Sequence, residues 1–232
     1  IRSIKEGLIA NKINRICGIF NGTSNYVLSS MDTNKTSFKE TIRQAINLGY
    51  AESNPSADIS GEDVASKVKI LSSLCFNSFI NKNIHVEGIK EIEEEDIINA
   101  SKLGYKIKLM GFAEISNNKI FQRVHPALVK KTSYIAGVDG VLNAVIINGK
   151  PIGKNIIQGE GAGPSATTSA LVSDISSVLR GNIKFPFAIS NSKRKKLASG
   201  KIIDLSFSSY IRLSVKDKYG VLSDVTKIFS NN

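Results

Sequence analysis

The stretch from Lys106 to Ile147 constrains the fold most. From Lys106 to Ile115, and again from Lys119 to Val124, the apolar period falls from that of a helix towards two, and Asn117-Asn118 separates the runs. Asparagine tolerates the positive φ of a two-residue hairpin turn, so the pattern predicts two antiparallel strands joined directly. Val141 to Ile147 reads as a further strand, closed by the turn Asn148-Gly149-Lys150-Pro151. His125-Pro126 reads as the end of a strand. A sheet of this kind needs apolar cover on at least one face.

The cover lies mainly upstream. Ile4 to Ala10 has helical periodicity, Arg15 to Phe20 is a short apolar strand, and a helix resumes near Asn25 after the turn Asn21-Gly22-Thr23-Ser24. Ser37 to Glu40 is a capping box ahead of the stripe Phe38, Ile42, Ala45 and Ile46, which Gly49 ends. Ser60 to Asp63 reads as a second capping box, opening a helix with Val64, Val68 and Leu71. Glu93 to Lys102 has the acidic first turn that suits a helix amino terminus. Ser165 to Arg180 follows as a helix, Asn191 to Gly200 as a polar linker, Tyr210 to Val215 as a strand and Leu222 to Phe229 as a helix. Helices and hairpins are partly segregated, which predicts an α+β fold, a mixed or antiparallel sheet covered by helices on one face, rather than a doubly wound one.

Composition narrows the function classes. Lys and Arg number 31 against 20 Asp and Glu, for a net charge of +11. The basic residues are scattered, and the one cluster, Lys193 to Lys196, has no interleaved aromatics, so it reads as a solvated loop and not as a nucleic-acid surface. No apolar run reaches the roughly eighteen residues of a membrane span. Cys17 and Cys75 lack metal-ligand spacing and suit core positions in a reducing cytoplasm. His85 and His125 have no ligand-spaced partners, and no metal site is expected.

Chemistry concentrates between Glu52 and Lys67. Glu52, Asp58 and Asp63 stand on a loop and the first turn of a helix, and Lys67 follows Asp63 on the same helical face. Such a set suits gripping a substrate ammonium with carboxylates while a lysine handles a proton. The alternative is structural: Asp63 fits the closing carboxyl of a cap, and Asp63 with Lys67 fits a surface pair. The turn Gly159-Glu160-Gly161-Ala162-Gly163 before a helix allows close approach of a phosphate or ring, and equally serves as a tight turn.

Four motifs in order resemble those of homoserine dehydrogenases: Gly18 to Tyr26 (GIFNGTSNY), Gly49 to Lys67 (GYAE, then Pro55, Asp58, Gly61, Asp63 and Lys67), Asn143-Ala144-Val145, and Gly159 to Gly163. The likeness covers about residues 1 to 182. It implies a substrate domain similar to that of glyceraldehyde-3-phosphate dehydrogenase, and reversible oxidation of L-homoserine to L-aspartate 4-semialdehyde with NAD or NADP. It assigns Glu52 and Asp58 to the two ends of homoserine, Asp63 to their support, and Lys67 to proton transfer. Thr23 and Tyr50 are placed at the substrate, and Asn21, Gly22, Thr23, Gly161, Ala162 and Gly163 at the cofactor. The family's nucleotide fingerprint, its second active-site lysine and most of its monovalent-cation site are expected in an upstream half. The helix at 164–182 is expected to pack on that half.

Tyr210 to Leu222 resembles the first strand and helix start of an ACT domain, with Tyr219 in place of the usual proline. The resemblances together divide the chain into a catalytic and dimerisation domain at 1–190, a linker at 191–208 and a partial ACT unit at 209–232. They imply a cytoplasmic homodimer with an amino-acid effector at a complete ACT domain, and no nucleic-acid or membrane partner. A non-catalytic amino-acid-binding regulator on the same scaffold is the alternative.

Overall fold

The computed structural model describes residues 1–182 and 185–230. Its frame is the long hairpin: β3 (Tyr105–Ser116) and β4 (Lys119–Lys130) are antiparallel, and Asn117 and Asn118 turn between them at φ 48° and 58°. β4 does not end at His125-Pro126, as the sequence led us to expect; Pro126 lies opposite Leu109 and the strand continues to Lys130. Two residues earlier, Val124 O accepts from Glu87 N on the outer side of β4. Pro126 therefore turns its missing N–H to that outer edge, where the ladder with β3 loses nothing.

β1 (Lys12–Ile19) lies between β3 and β5 (Leu142–Lys150), antiparallel to both, and β5 turns into β6 (Gly153–Glu160). With β2 (His85–Val86) the order is β2-β4-β3-β1-β5-β6, and β7 (Ala198–Ser199) pairs with β4 beyond β2. β6 escaped the sequence pattern because it is an outer strand with half-exposed or exposed side chains, so selection for alternation is weak.

Helices α1 (Gly22–Asn34), α2 (Phe38–Asn47), α3 (Ser56–Ser60), α4 (Glu62–Cys75) and α5 (Glu94–Lys102) precede the hairpin. Val27, Leu28 and Met31 of α1, Val64 and Val68 of α4, and Ile97 of α5 bury against Ile16, Phe20, Leu109 and Ala113. Gly111 admits this packing, since a β-carbon there would come within 2.5 Å of Val68 and 2.8 Å of Phe20. The fold is thus α+β with one helix-covered face. The other face holds a smaller cluster of Cys17, Ile19, Met110, Ile135, Val138 and Ala144.

Local expectations fared unevenly. Ser37 caps α2 through Glu40 N, and Gly49 leaves the helix at φ 74°. The first helix is only a π-type turn, Ser3–Gly7. α6 (Pro164–Leu179) and α7 (Val221–Ser230) form near the expected places. Tyr210 to Val215 is not a strand: among the described residues no strand pairs with it. Its head is tied down instead, with Tyr210 Oη donating to Asp96 Oδ1 (2.9 Å) and Arg212 paired with Asp96 and Glu93. The basic linker is not simply solvated either. Arg194 stacks between Phe79 and Phe187 and donates to Ser78 O, because a planar guanidinium can lie on aromatic faces and still make its hydrogen bonds.

Candidate active site

β1 gives way to α1 at Phe20-Asn21. Asn21 caps the helix, its Oδ1 accepting from Ser24 N at 2.8 Å. The same side chain turns Nδ2 outwards, and the amide donates to Asp58 Oδ1 (2.7 Å) and Asp63 Oδ2 (2.8 Å). Lys67, one turn along α4, donates to Asp63 Oδ2 (2.7 Å) and to Phe20 O (2.8 Å). One amide and one ammonium thereby hold two carboxylates of like charge at the end of the central strand.

Gly61, between α3 and α4, makes this possible. Its φ of 85° reverses the chain so that Asp58 and Asp63 meet the same amide. α4 begins at Glu62 with Gly61 as its N-cap and no side-chain cap. The second capping box therefore does not form, and Asp63 spends its carboxylate on Asn21 and Lys67. Of the structural alternative, the cap does not form, while the part-exposed Asp63–Lys67 pair does, joined by the bonds to Asn21 and Phe20 O. Behind α3, Ile89 N donates to Ile59 O (2.9 Å), and a β-carbon on Gly88 would lie 2.2 Å from that oxygen.

The other sequence candidates sit at varying distance from this cluster. Thr23 is buried and donates Oγ1 to Tyr50 O (2.7 Å), which fixes the backbone before Glu52. Tyr50 is 45% exposed, and its ring centroid lies 5.0 Å from that of Tyr26. Glu52 is exposed and joins none of these hydrogen bonds. Gly22 is pressed on the entry to β5, where a β-carbon would lie 2.8 Å from Val141 O.

The glycine turn borders the same end of the sheet. Ile19 is paired with Ala144, and Asn143 with Gly159. A β-carbon on Gly161 would meet Asn143 Nδ2 at 1.9 Å, whereas Gly159 and Gly163 face open space. Asn143 Oδ1 is buried without a hydrogen-bond partner among the described residues. An exposed glycine turn leading into the amino terminus of α6 leaves room for close approach of an anionic group. No hydrogen bond joins the turn to the Asn21 cluster. α6 itself exposes Leu171, Val172, Ile175, Val178 and Leu179.

Sequence reading missed a second polar centre beneath α1. Lys108 on β3 is only 1% exposed, and its ammonium reaches Asn25 Oδ1 (3.1 Å), Ser29 Oγ (3.1 Å), Val138 O (2.8 Å) and Asp139 Oδ1 (2.7 Å). Burial pulls the Lys108 ammonium below its ordinary pKa, against the Asp139 hydrogen bond. Burial also pushes the Asp139 carboxyl up, but hydrogen bonds from Lys108 and Lys106 outweigh it and hold that group below its usual value. The available signal was a lysine flanked by Ile107, Leu109 and Met110 within a strand.

Residues 1–176 match the family model for homoserine dehydrogenase. A homoserine dehydrogenase of Helicobacter pylori is 40% identical over the whole chain, which covers 55% of that relative. The crystal structure of a homoserine dehydrogenase from Thiobacillus denitrificans superposes with a TM-score of 0.87 at 34% identity, covering 99% of this chain and 55% of the other. A hyperthermophilic archaeal homoserine dehydrogenase mutant in complex with NADPH gives a TM-score of 0.64 at 28% identity, covering 80% of this chain and 52% of that one. The chain thus spans about half the length of the curated relatives it matches.

Proposed function

The chain belongs to the homoserine dehydrogenase family, and we propose that it forms the substrate half of an enzyme interconverting L-homoserine and L-aspartate 4-semialdehyde in amino-acid biosynthesis. The observation that carries the reading is Lys67, whose ammonium lies between Asp63 and Phe20 O beside the Asn21-bridged Asp58. Asp58 and the exposed Glu52 supply anionic partners for the ammonium and hydroxyl ends of homoserine. Lys67 would donate to the reacting oxygen and exchange its proton, with the Asp63 carboxylate stabilising its charge. Thr23 and Tyr50 shape the wall of the site.

A bound nicotinamide dinucleotide supplies the hydride acceptor. Gly161, Ala162 and Gly163 would border it, as would Gly22 and Thr23, while Asn21 has both ends of its amide committed within the protein. The NADPH complex of the archaeal relative supports NADP as one such partner. The main nucleotide-binding surface, and the monovalent-cation site implied by the resemblance, would correspond to the part of the relatives' length that this chain does not match. The apolar stripe of α6 is suited to pack on that half.

Assembly belongs to the same proposal. Half-buried Phe112, Ala127, Val129 and Ile146 on the second sheet face support a homodimer that buries them. Of the expected ACT unit at 209–232, whose last two residues lie outside the described ones, α7 would serve such a domain with an amino-acid effector although Tyr210 to Val215 forms no strand here, and the enzyme would work in the cytoplasm. Among the described residues no helix is long and apolar enough to cross a membrane.

The test is direct. The full reading frame encoding this chain, purified and supplied with L-homoserine and NADP or NAD, should generate reduced nicotinamide. Loss of that signal with both cofactors, from a folded protein, overturns the proposal.

A further inference from the structure

The buried centre under α1 does more than fill space, and the role inferred for it rests on the Asn21 cluster being the substrate site. Asn25 Nδ2 lies within hydrogen-bond distance of Val138 O (3.0 Å), Gly140 O (3.0 Å) and Leu142 O (3.1 Å), its two hydrogens shared among the three carbonyls, so one side chain of the first turns of α1 gathers the 138–142 loop. Lys108 closes the arrangement from below. Its one ammonium reaches Asn25 and Ser29 on the helix, and Val138 and Asp139 on the loop.

Two contacts carry that connection outward. Val141 O abuts Gly22, so the loop position sets where the Asn21-Gly22-Thr23 turn can lie. Asn143 follows directly and packs on Gly161 of the glycine turn. A buried ion pair is weak evidence for stability, since desolvation cancels much of its attraction. Its value here is geometric: three hydrogens shared among four acceptors, two on the helix and two on the loop, tie the two segments to one point.

We propose that Lys108, with Asp139 as its counter-ion, is a positioning residue for the reaction: it locks α1 to the 138–142 loop and thereby holds the Asn21 cluster in register with the glycine turn. It touches neither substrate nor cofactor. It sets the distance between the surfaces that carry them, a quantity to which hydride transfer is sensitive.

The experiment uses the full reading frame and the variant Lys108→Met, which keeps an unbranched side chain one atom shorter and removes its charge. Thr41→Val is the control, a fully buried hydroxyl on α2 that bonds Ser37 O and lies outside this network. Lys108→Met should lower kcat by about tenfold to a hundredfold, with a much smaller change in either KM, the pattern expected of misplaced reactants. Amide exchange should quicken at Thr23 to Asn25 and at Asp139 to Asn143. Thr41→Val should lower Tm and leave kcat unchanged. The idea is overturned if Lys108→Met keeps its kcat, if the two exchange segments do not respond, or if both variants lose activity in proportion to Tm.

Asp139→Asn guards against failure to fold, because Asp139 is half exposed. It should quicken exchange in the same two segments and reduce kcat by a lesser factor; unchanged exchange there counts against the proposal. If the parent oxidises no homoserine, the functional reading fails, and the exchange arm alone still decides whether Lys108 locks the two segments.

Discussion

Replacing Lys67 by alanine separates catalysis from architecture. The ammonium makes two contacts, with Asp63 Oδ2 and Phe20 O, and the side chain is 44% exposed. An ion pair so open to solvent contributes at most about 1 kcal/mol to stability. The bond to the Phe20 carbonyl adds about 0.5–1.5 kcal/mol. The variant should therefore lose about 1–2 kcal/mol, which for a protein of this size or larger lowers Tm by only a few degrees. A positioned proton donor or acceptor contributes about 10²- to 10⁴-fold to the rate, equivalent to roughly 3–5 kcal/mol of barrier. The assay is steady-state oxidation of L-homoserine, followed by nicotinamide reduction, beside thermal unfolding of the same preparation. The expected result is a kcat lowered by at least about a hundredfold in a folded protein. A kcat within about threefold of the parent would refute the reasoning and leave Lys67 as a structural partner of Asp63.

Three further outcomes are set by the geometry. Asn21→Leu removes the cap of α1 and the amide between two carboxylates; urea unfolding should show a loss of about 1–2 kcal/mol from the cap alone, and a loss no greater than an ordinary surface substitution would count against the bridge. Asp139 is held below its ordinary value of 3.8, so the unfolded chain takes up this proton first. Its contribution is complete above that value and drains as pH falls through the folded one; the Tm of the parent should drop more steeply with acid there than that of Asp139→Asn, and equal slopes would contradict the assignment. Burial pushes the Cys75 thiol up to about 12, so it should resist iodoacetamide in mildly alkaline buffer until the chain unfolds, and rapid labelling of the native protein would show otherwise.

The elements that sequence resolved are those whose determinants are local. Asn117-Asn118 fixes a turn by its own backbone preference, and Ser37 caps the helix beside it. β6 carries its pairing information in β5, and its own composition reads as a loop. Tyr210 to Val215 alternates as a strand should, but a strand needs a neighbour, and the segment's polar head found Asp96 and Glu93 instead. At the site, the sequence placed Asp63 and Lys67 on one helical face, since four residues return a helix to the same side. It could not place Asp58 beside them, because that depends on the left-handed turn at Gly61. The function of Asn21 depends on partners 37 and 42 residues away. Lys108 was visible only as an anomaly, a charge at a core position of a strand.

The backing of α3 has a mechanical consequence. Gly88 and Ile89 leave no room between the main chain and the carbonyl of Ile59, so the turn that bears Asp58 is braced from behind. Towards solvent it carries no such brace, and none of its residues is buried. The main chain under Asp58 is therefore stopped from moving inwards, and what holds its carboxylate on the other side is a single amide, that of Asn21. Any side chain at position 88 would shift that stop and reset the resting point of the carboxylate without touching the chemistry.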